Sequence, residues 1–287
     1  MAVQLAGIPA VRALREELAL RAKRVKVCGV VPTLAIVRVG AREDDVSYER
    51  SAIKSCEAVG VRVKQFTLDA GATQETLLET IDTINQDPEI QGCLLFRPLP
   101  EQMEDQTVCA ALDPAKDVDG ITAGSLAGIF LGHKTGFPPC TAQACVELLD
   151  HYGYKLAGRR VVVIGRSLVV GRPLAMLLLH RNATVTICHS KTEGLAAICR
   201  QAEVLVAAAG KAGLVDASFV SPGQIVLDVG IHGDGHGGLC GDVAFDQVEP
   251  IVDAITPVPS GVGSMTSAIL VRHVMEAAER TCGLWQG

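Results

Sequence analysis

The chain has 287 residues, enough for about two domains, and its 48% hydrophobic and 20% charged side chains exclude a disordered chain. Its 26 basic and 32 acidic residues leave a formal charge of −6, and only 3% of residues are aromatic; both argue against a nucleic-acid binder. No window approaches the ~18 uninterrupted apolar residues of a membrane span, and residues 1–10 lack the basic start and long apolar block of a secretory signal.

Short β-branched runs alternate with longer helical patterns. The periodicity predicts a strand at Thr33–Val39, a helix at Glu43–Val59, a strand at Val61–Leu68 and a helix at Thr73–Asn85. A strand at Gln91–Phe96 and a helix at Glu104–Leu112 follow. Gly136 and the paired Pro138 and Pro139 interrupt both periods, so Lys134–Pro139 reads as a domain boundary, with Thr141 able to cap a helix to Tyr152. The alternation then restarts with a strand at Arg160–Ile164, a helix at Gly171–His180, a strand at Thr184–Ile187 and a helix at Glu193–Gln201. Strands at Val204–Ala208 and Gln224–Val229 and a last helix at Met265–Thr281 complete the chain. Alternation of this kind predicts an α/β protein of two domains, each a mainly parallel sheet flanked by helices.

The ten cysteines are scattered, with no Cys-x-x-Cys and no paired spacing, so no zinc site is expected. Most sit inside apolar runs, where a thiol behaves as a small hydrophobe, and free thiols suit a reducing cytoplasm. The stretch His232-Gly-Asp-Gly-His236 follows a strand and is rich in turn residues, which predicts a connection rather than a metal loop.

The most informative turn is Val161-Val-Val-Ile-Gly165-Arg-Ser-Leu-Val-Val-Gly171-Arg-Pro173. An apolar strand runs into Gly165, a second glycine opens a helix, and Pro173 suits a first-turn position. Amides at that helix start make an anion site. A cofactor lacking the 2′-phosphate calls for an acidic residue about 20 positions on. Here the next strand ends in Cys188-His-Ser-Lys191 with no acid, and Arg166, Ser190 and Lys191 stand where a 2′-phosphate is welcome. NADP is the expected cofactor.

Seven segments together resemble the bifunctional methylenetetrahydrofolate dehydrogenase/methenyltetrahydrofolate cyclohydrolase family. They are Lys116-Asp-Val-Asp-Gly120, Pro139-Cys-Thr141, Gly165-Arg-Ser-x-x-Val-Gly-Arg-Pro173, His189-Ser-Lys-Thr192, Asp228-Val-Gly-Ile231, Gly241-Asp-Val243 and Thr256-Pro-Val-Pro-x-Gly-Val-Gly263. They run in the family's order over nearly the whole chain. The resemblance implies a folate-binding, catalytic domain at residues 1–139 joined by a returning helix at 265–287, and a Rossmann-like NADP domain at 140–264. It implies an oxidoreductase of one-carbon metabolism that takes a tetrahydrofolate substrate and forms a homodimer. By the same resemblance Gly165, Arg166, Ser167, Ser190 and Ile231 hold NADP. Tyr48 and Asp119 are the implied catalytic residues; with Leu95, Phe96, Arg97, Pro259, Gly261 and Gly263 they line the folate. A carboxylate at Asp119 suits an amino-pterin, since two acceptor oxygens match adjacent N–H donors.

Two departures bear on the second activity, and two more on how the loop at 259–266 fits the folate. The family's hydrolytic lysine, in Tyr-x-x-x-Lys, falls at Ala52, and its glutamine, in Val-Gln-Leu-Pro-Leu-Pro, falls at Phe96. Lys54, six residues past Tyr48, lies roughly 240° around the helix and points away. Strand alternation turns Arg97 from the face of Phe96, and a guanidinium is a poor general base. Ser260 and Ser264 stand where the family loop has Gly and Pro. The expected function is therefore an NADP-dependent dehydrogenase with weak or absent hydrolysis. A fully bifunctional enzyme, another NADP dehydrogenase and a non-catalytic folate and NADP binder stay open at this level.

Overall fold

The computed structural model describes residues 1–235 and 237–285. In chain order the elements are β1 (Val3–Gln4), α1 (Gly7–Val27), β2 (Thr33–Val39), α2 (Glu43–Glu57), β3 (Arg62–Leu68), α3 (Gln74–Gln86) and β4 (Gly92–Leu95). The helices α4 (Asp105–Ala111), α5 (Ala123–Leu131) and α6 (Cys140–His151) follow. Next come β5 (Arg160–Ile164), α7 (Gly171–His180), β6 (Thr184–Cys188), α8 (Leu195–Arg200), β7 (Val204–Ala207) and β8 (Ile225–Asp228). The chain ends with β9 (His232–Gly233), β10 (Leu239–Cys240), α9 (Phe245–Val248), β11 (Ala254–Ile255) and α10 (Val262–Thr281). Two compact units result: Met1–Arg12 with Thr141–Thr266, and Ala13–Cys140 with Ser267–Gly287.

The first unit is built on a six-stranded sheet in the order β1-β11-β8-β7-β5-β6, with every pairing parallel. The middle of its inner strands is apolar because both faces are covered: Val161 to Ile164 and Val204 to Ala207 are all buried. α7 buries Gly171, Leu174, Ala175 and Leu178, a one-sided stripe that packs on β5 and β6. The edge strand β6 is mostly exposed. Residues Val3 and Gln4, which the resemblance assigns to the N-terminal domain, instead extend this sheet by pairing with Ala254 and Ile255.

The second unit carries a three-stranded parallel sheet, β3-β2-β4, in which β2 is central and buried along nearly all its length. Ala35, Val37, Val39, Cys93 and Leu95 pack on Leu77, Ile81 and Ile84 of α3, the helix's apolar face. α1 and α5 lie outside the elements predicted from periodicity. Within this unit α1 buries Leu18, Ala22 and Val25 at helical spacing. α5 is stopped at one end by the Thr122 hydroxyl, which accepts from the Ser125 amide at 3.1 Å, and at the other by Gly132 in the left-handed region.

Candidate functional site

In the second unit, α2 places Tyr48 beside residues from three other segments. The Tyr48 ring meets Phe96 edge-on, with centroids 5.9 Å apart, and the Ser267 side chain acts on its hydroxyl. Burial, then the charge of Asp119, pushes the Tyr48 phenol well above its usual range, so it stays a neutral O–H donor. One turn further along α2, Ala52 is completely buried, while Lys54 is exposed on another face. Phe96 is 8% exposed, just beyond the end of β4, and Leu95 is buried within it.

The two carboxylates of Lys116-Asp-Val-Asp-Gly120 have different tasks. Asp117 is fully buried and accepts from the Ile121 amide (3.0 Å), the Thr122 amide (2.7 Å) and the Ser125 hydroxyl (2.6 Å). Its acceptor capacity is spent on holding the start of α5. Asp119, half-buried, faces Tyr48 and the thiol of Cys140. Burial lifts its carboxyl to about 6, opposed by the neighbouring Cys140 thiol, raised further by Asp117 and lowered by Arg97. Cys140 is itself buried, its Sγ 3.3 Å from the Val118 carbonyl and 3.7 Å from His273 Nδ1. Gly120 makes the close approach possible: a Cβ there would stand 2.4 Å from the Pro139 nitrogen, and its φ is +69°.

Arg97 departs from the expectation of strand alternation. β4 ends at Leu95, so the rule no longer applies two residues later. Arg97 Nη1 bonds Asp105 Oδ2 at 2.7 Å and lies 3.6 Å from Cys109 Sγ, and its charge acts on Asp119. Tyr48, Phe96, Arg97 and Asp119 thus share one neighbourhood. Cys140 and Ser267 belong to it as well; the Pro139-Cys-Thr141 motif pointed at the first, and nothing in the local sequence marks the second.

In the first unit, β5 runs between β6 on one side and β7 on the other, so chain order reverses there, as at the ligand crevice of open parallel sheets. Gly165 ends β5 with φ +128°, and a Cβ on it would stand 2.1 Å from the Ala208 carbonyl oxygen. Its amide bonds the Cys188 carbonyl at 2.8 Å, which sets the two strand ends side by side. Arg166, Ser167, Ser190 and Lys191 are all exposed at these ends. The Ser167 hydroxyl accepts from the Val170 amide at 3.1 Å and shapes the turn into α7. Open glycine backbone, exposed cation and hydroxyls, and no acid at the end of β6 fit a phosphorylated dinucleotide.

A separate pocket of about 240 Å³ in the same unit is lined by Ile8, Asp228–Ile231, Leu239 and 257–264. It gathers Ile231, Pro259, Gly261 and Gly263, which the resemblance had divided between cofactor and folate. Ser260 sits at φ +83°, a region that favours glycine, and the Ser264 hydroxyl donates to the Gly261 carbonyl at 2.8 Å. Two buried carboxylates hold the surrounding loops. Asp228 accepts from the amides of Gly230, Asp242 and Val243, and burial lifts it to about 6. Asp242 accepts from the amides of Ala209, Gly210 and Lys211 and pairs with His232 Nε2 at 2.7 Å. His232 opens a short β9–β10 hairpin, whereas His236 lies outside the described residues. No cluster of His, Cys, Asp and Glu fit to hold a metal occurs among the described residues.

Residues 5–119 match the family model of the tetrahydrofolate dehydrogenase/cyclohydrolase catalytic domain, and 139–282 that of its NAD(P)-binding domain. The bifunctional protein FolD of Carboxydothermus hydrogenoformans is 49% identical over 99% of this chain and 100% of its own. Among solved structures, the bifunctional FolD enzyme of Campylobacter jejuni superposes with a TM-score of 0.95 at 36% identity, covering 98% of this chain and 99% of its own. The Trypanosoma brucei FolD, complexed with NADP cofactor and inhibitor, gives 0.91 at 32% identity, over 97% and 98% of the two chains.

Proposed function

This chain belongs to the tetrahydrofolate dehydrogenase/cyclohydrolase family, and we propose that it is an NADP-dependent 5,10-methylenetetrahydrofolate dehydrogenase with a weak or absent cyclohydrolase step. The observation that carries this reading is local. Ala52 is buried one turn from Tyr48, and Phe96 lies against the Tyr48 ring, where the family pattern has Lys and Gln.

The chemistry separates the two steps. NADP, when bound, accepts a hydride from the methylene carbon. The chain's part in that step is to bind and orient. Gly165, Arg166, Ser167, Ser190 and Ile231 would hold the nucleotide. Asp119 would accept from the pterin N–H donors, and Tyr48 would donate from a phenol that stays neutral. Leu95, Phe96 and Arg97 would line the folate. Hydride loss leaves a cationic methenyl ring, which an ionised Asp119 favours and a lysine ammonium would oppose. Hydrolysis of that ring instead needs a positioned base, worth typically ~10²–10⁴-fold. Arg97 cannot supply it, because a guanidinium stays protonated.

The bifunctional names of the relatives support the alternative in which both steps persist. Family membership also supports a homodimer acting in the cytoplasm. One preparation decides the main question. With methylenetetrahydrofolate the protein should reduce NADP, and with methenyltetrahydrofolate alone the absorbance should decay at the buffer rate. The double variant A52K/F96Q should then hydrolyse at least ~10²-fold faster than the wild type. Rapid decay catalysed by the unaltered protein would overturn the reading.

A further inference from the structure

The motif Lys116-Asp-Val-Asp-Gly120 lies outside the helices and the paired strands, so other elements must hold its backbone. Three of its residues are each tied to a different helix. Lys116 Nζ donates to the carbonyls of Ile84, Asn85 and Asp87, at 2.7, 2.8 and 2.7 Å, and so closes the end of α3. Asp117 holds the start of α5. The third tie comes from α10: His273 Nδ1 stands 2.8 Å from the Val118 carbonyl oxygen. A carbonyl can only accept, so Nδ1 carries the hydrogen and donates it. The Cys140 thiol, 3.3 Å from the same oxygen, is a second donor to it.

His273 is 2% exposed and stacks on the buried Phe137, with centroids 5.1 Å apart and planes at 30°. Arg280, about two turns further along α10, lies over the Phe137 ring at 4.3 Å. The stack fixes the direction in which the imidazole presents its N–H. The Val118 carbonyl and the Asp119 nitrogen share one planar peptide. Holding the oxygen therefore holds that plane, and with it the direction in which the Asp119 side chain leaves the backbone.

We propose that His273 is a positioning residue: through the Val118 carbonyl it sets where the Asp119 carboxylate stands for the folate. The proposal rests on the reading of Asp119 as the acceptor for the pterin's N–H donors. The part of His273 is geometric, and no proton leaves it. A carboxylate that must meet two adjacent donors tolerates little rotation, and a displacement of about 1 Å costs up to ~10²-fold.

Two variants of equal branching separate the donor from the packing. Leucine and asparagine both lose the stack on Phe137, but only asparagine offers an N–H the same number of bonds from the backbone as Nδ1. In His273→Leu the KM for methylenetetrahydrofolate should rise about ten-fold or more, while that for NADP stays within about two-fold. His273→Asn should bring the folate value back to within about three-fold of the wild type. Calorimetric titration with tetrahydrofolate, without NADP, should rank the Kd values in the same order. His273→Gln, whose amide sits one carbon too far out, should behave as His273→Leu and replaces it if that variant does not fold. Unchanged folate KM in His273→Leu, equal losses in the leucine and asparagine variants, or a rise shared by folate and NADP would each overturn the proposal. A wild type that neither reduces NADP nor binds tetrahydrofolate would instead overturn the reading of Asp119 itself, and this proposal with it.

Discussion

Asp119→Asn should make the protein more stable at neutral pH while disabling it. The carboxyl is lifted from an ordinary 3.8 to about 6 by burial. The folded state therefore holds its proton over a pH range where the unfolded chain has released it, and keeping the group ionised above that range costs stability. A rise of about two pH units corresponds to ~3 kcal/mol. Because Asp119 is only half-buried, solvent screening reduces this, and a gain of about 1–3 kcal/mol is expected for the neutral, nearly isosteric amide. The sign fixes the pH window. The two proteins should be equally stable below about pH 3, where the side chain is neutral in the folded and the unfolded states of both. The gap should open as pH rises from about 4 to about 6, where the unfolded chain has lost the proton and the folded protein still holds it, and be complete by about pH 7. Asp228, also lifted to about 6 but in the other unit, is present in both proteins and cancels in the difference. Trp285, the only tryptophan, lies beside Lys134 and Arg280 of the same unit as Asp119, so denaturant unfolding followed by its fluorescence reports the relevant part. Equal stability at pH 7.5, or a gap that widens on acidification, would refute the argument. Dehydrogenase kcat/KM should fall by ~10² or more, because an amide N–H would then face the pterin's own donors.

Two other substitutions test the nucleotide turn and the pocket loop. Arg166→Ala should raise the KM for NADP about 10- to 100-fold, the worth of a charge-assisted bond to phosphate, and leave that for NAD unchanged; an equal loss with both cofactors would place Arg166 elsewhere. Ser260→Gly should relieve the left-handed backbone at φ +83° and raise the melting temperature by about 2 °C, the net of ~1–2 kcal/mol strain and glycine's own entropy cost. A comparable fall in melting temperature would show that the Ser260 side chain contributes more than its backbone costs.

What could be read from the sequence follows from how local the determinants are. β2, β5 and α7 fall where predicted at both ends, Thr33–Val39, Arg160–Ile164 and Gly171–His180, because burial on both faces or a one-sided stripe writes itself into consecutive residues. β1 and β11 have two residues each, and their pairing joins Val3 to Ala254, so no local period announces them. The same contrast governs the site. The motif Lys116-Asp-Val-Asp-Gly120 announces two carboxylates, but only the fold shows that Asp117 is consumed by α5 and that Asp119 faces Tyr48. Ser267 acts on Tyr48 from a distant helix, and a serine closing Ser264-Met-Thr-Ser267 carries no signal of its own. Strand alternation is no guide to Arg97, because its strand stops two residues earlier.

The pattern of what is present and absent around Tyr48 is itself coherent. The groups suited to recognition, the neutral phenol, the carboxylate of Asp119 and the thiol of Cys140, act on one another. The two departures, Ala52 and Phe96, sit beside that set, and both are apolar. An ammonium at position 52 would have needed partners or water in a place where the side chain is completely buried. With Phe96 against the Tyr48 ring rather than an amide that could bond such a group, a lysine alone would be poorly satisfied. The two apolar residues are therefore mutually consistent, and restoring hydrolysis should require both changes in A52K/F96Q, with either single change falling well short.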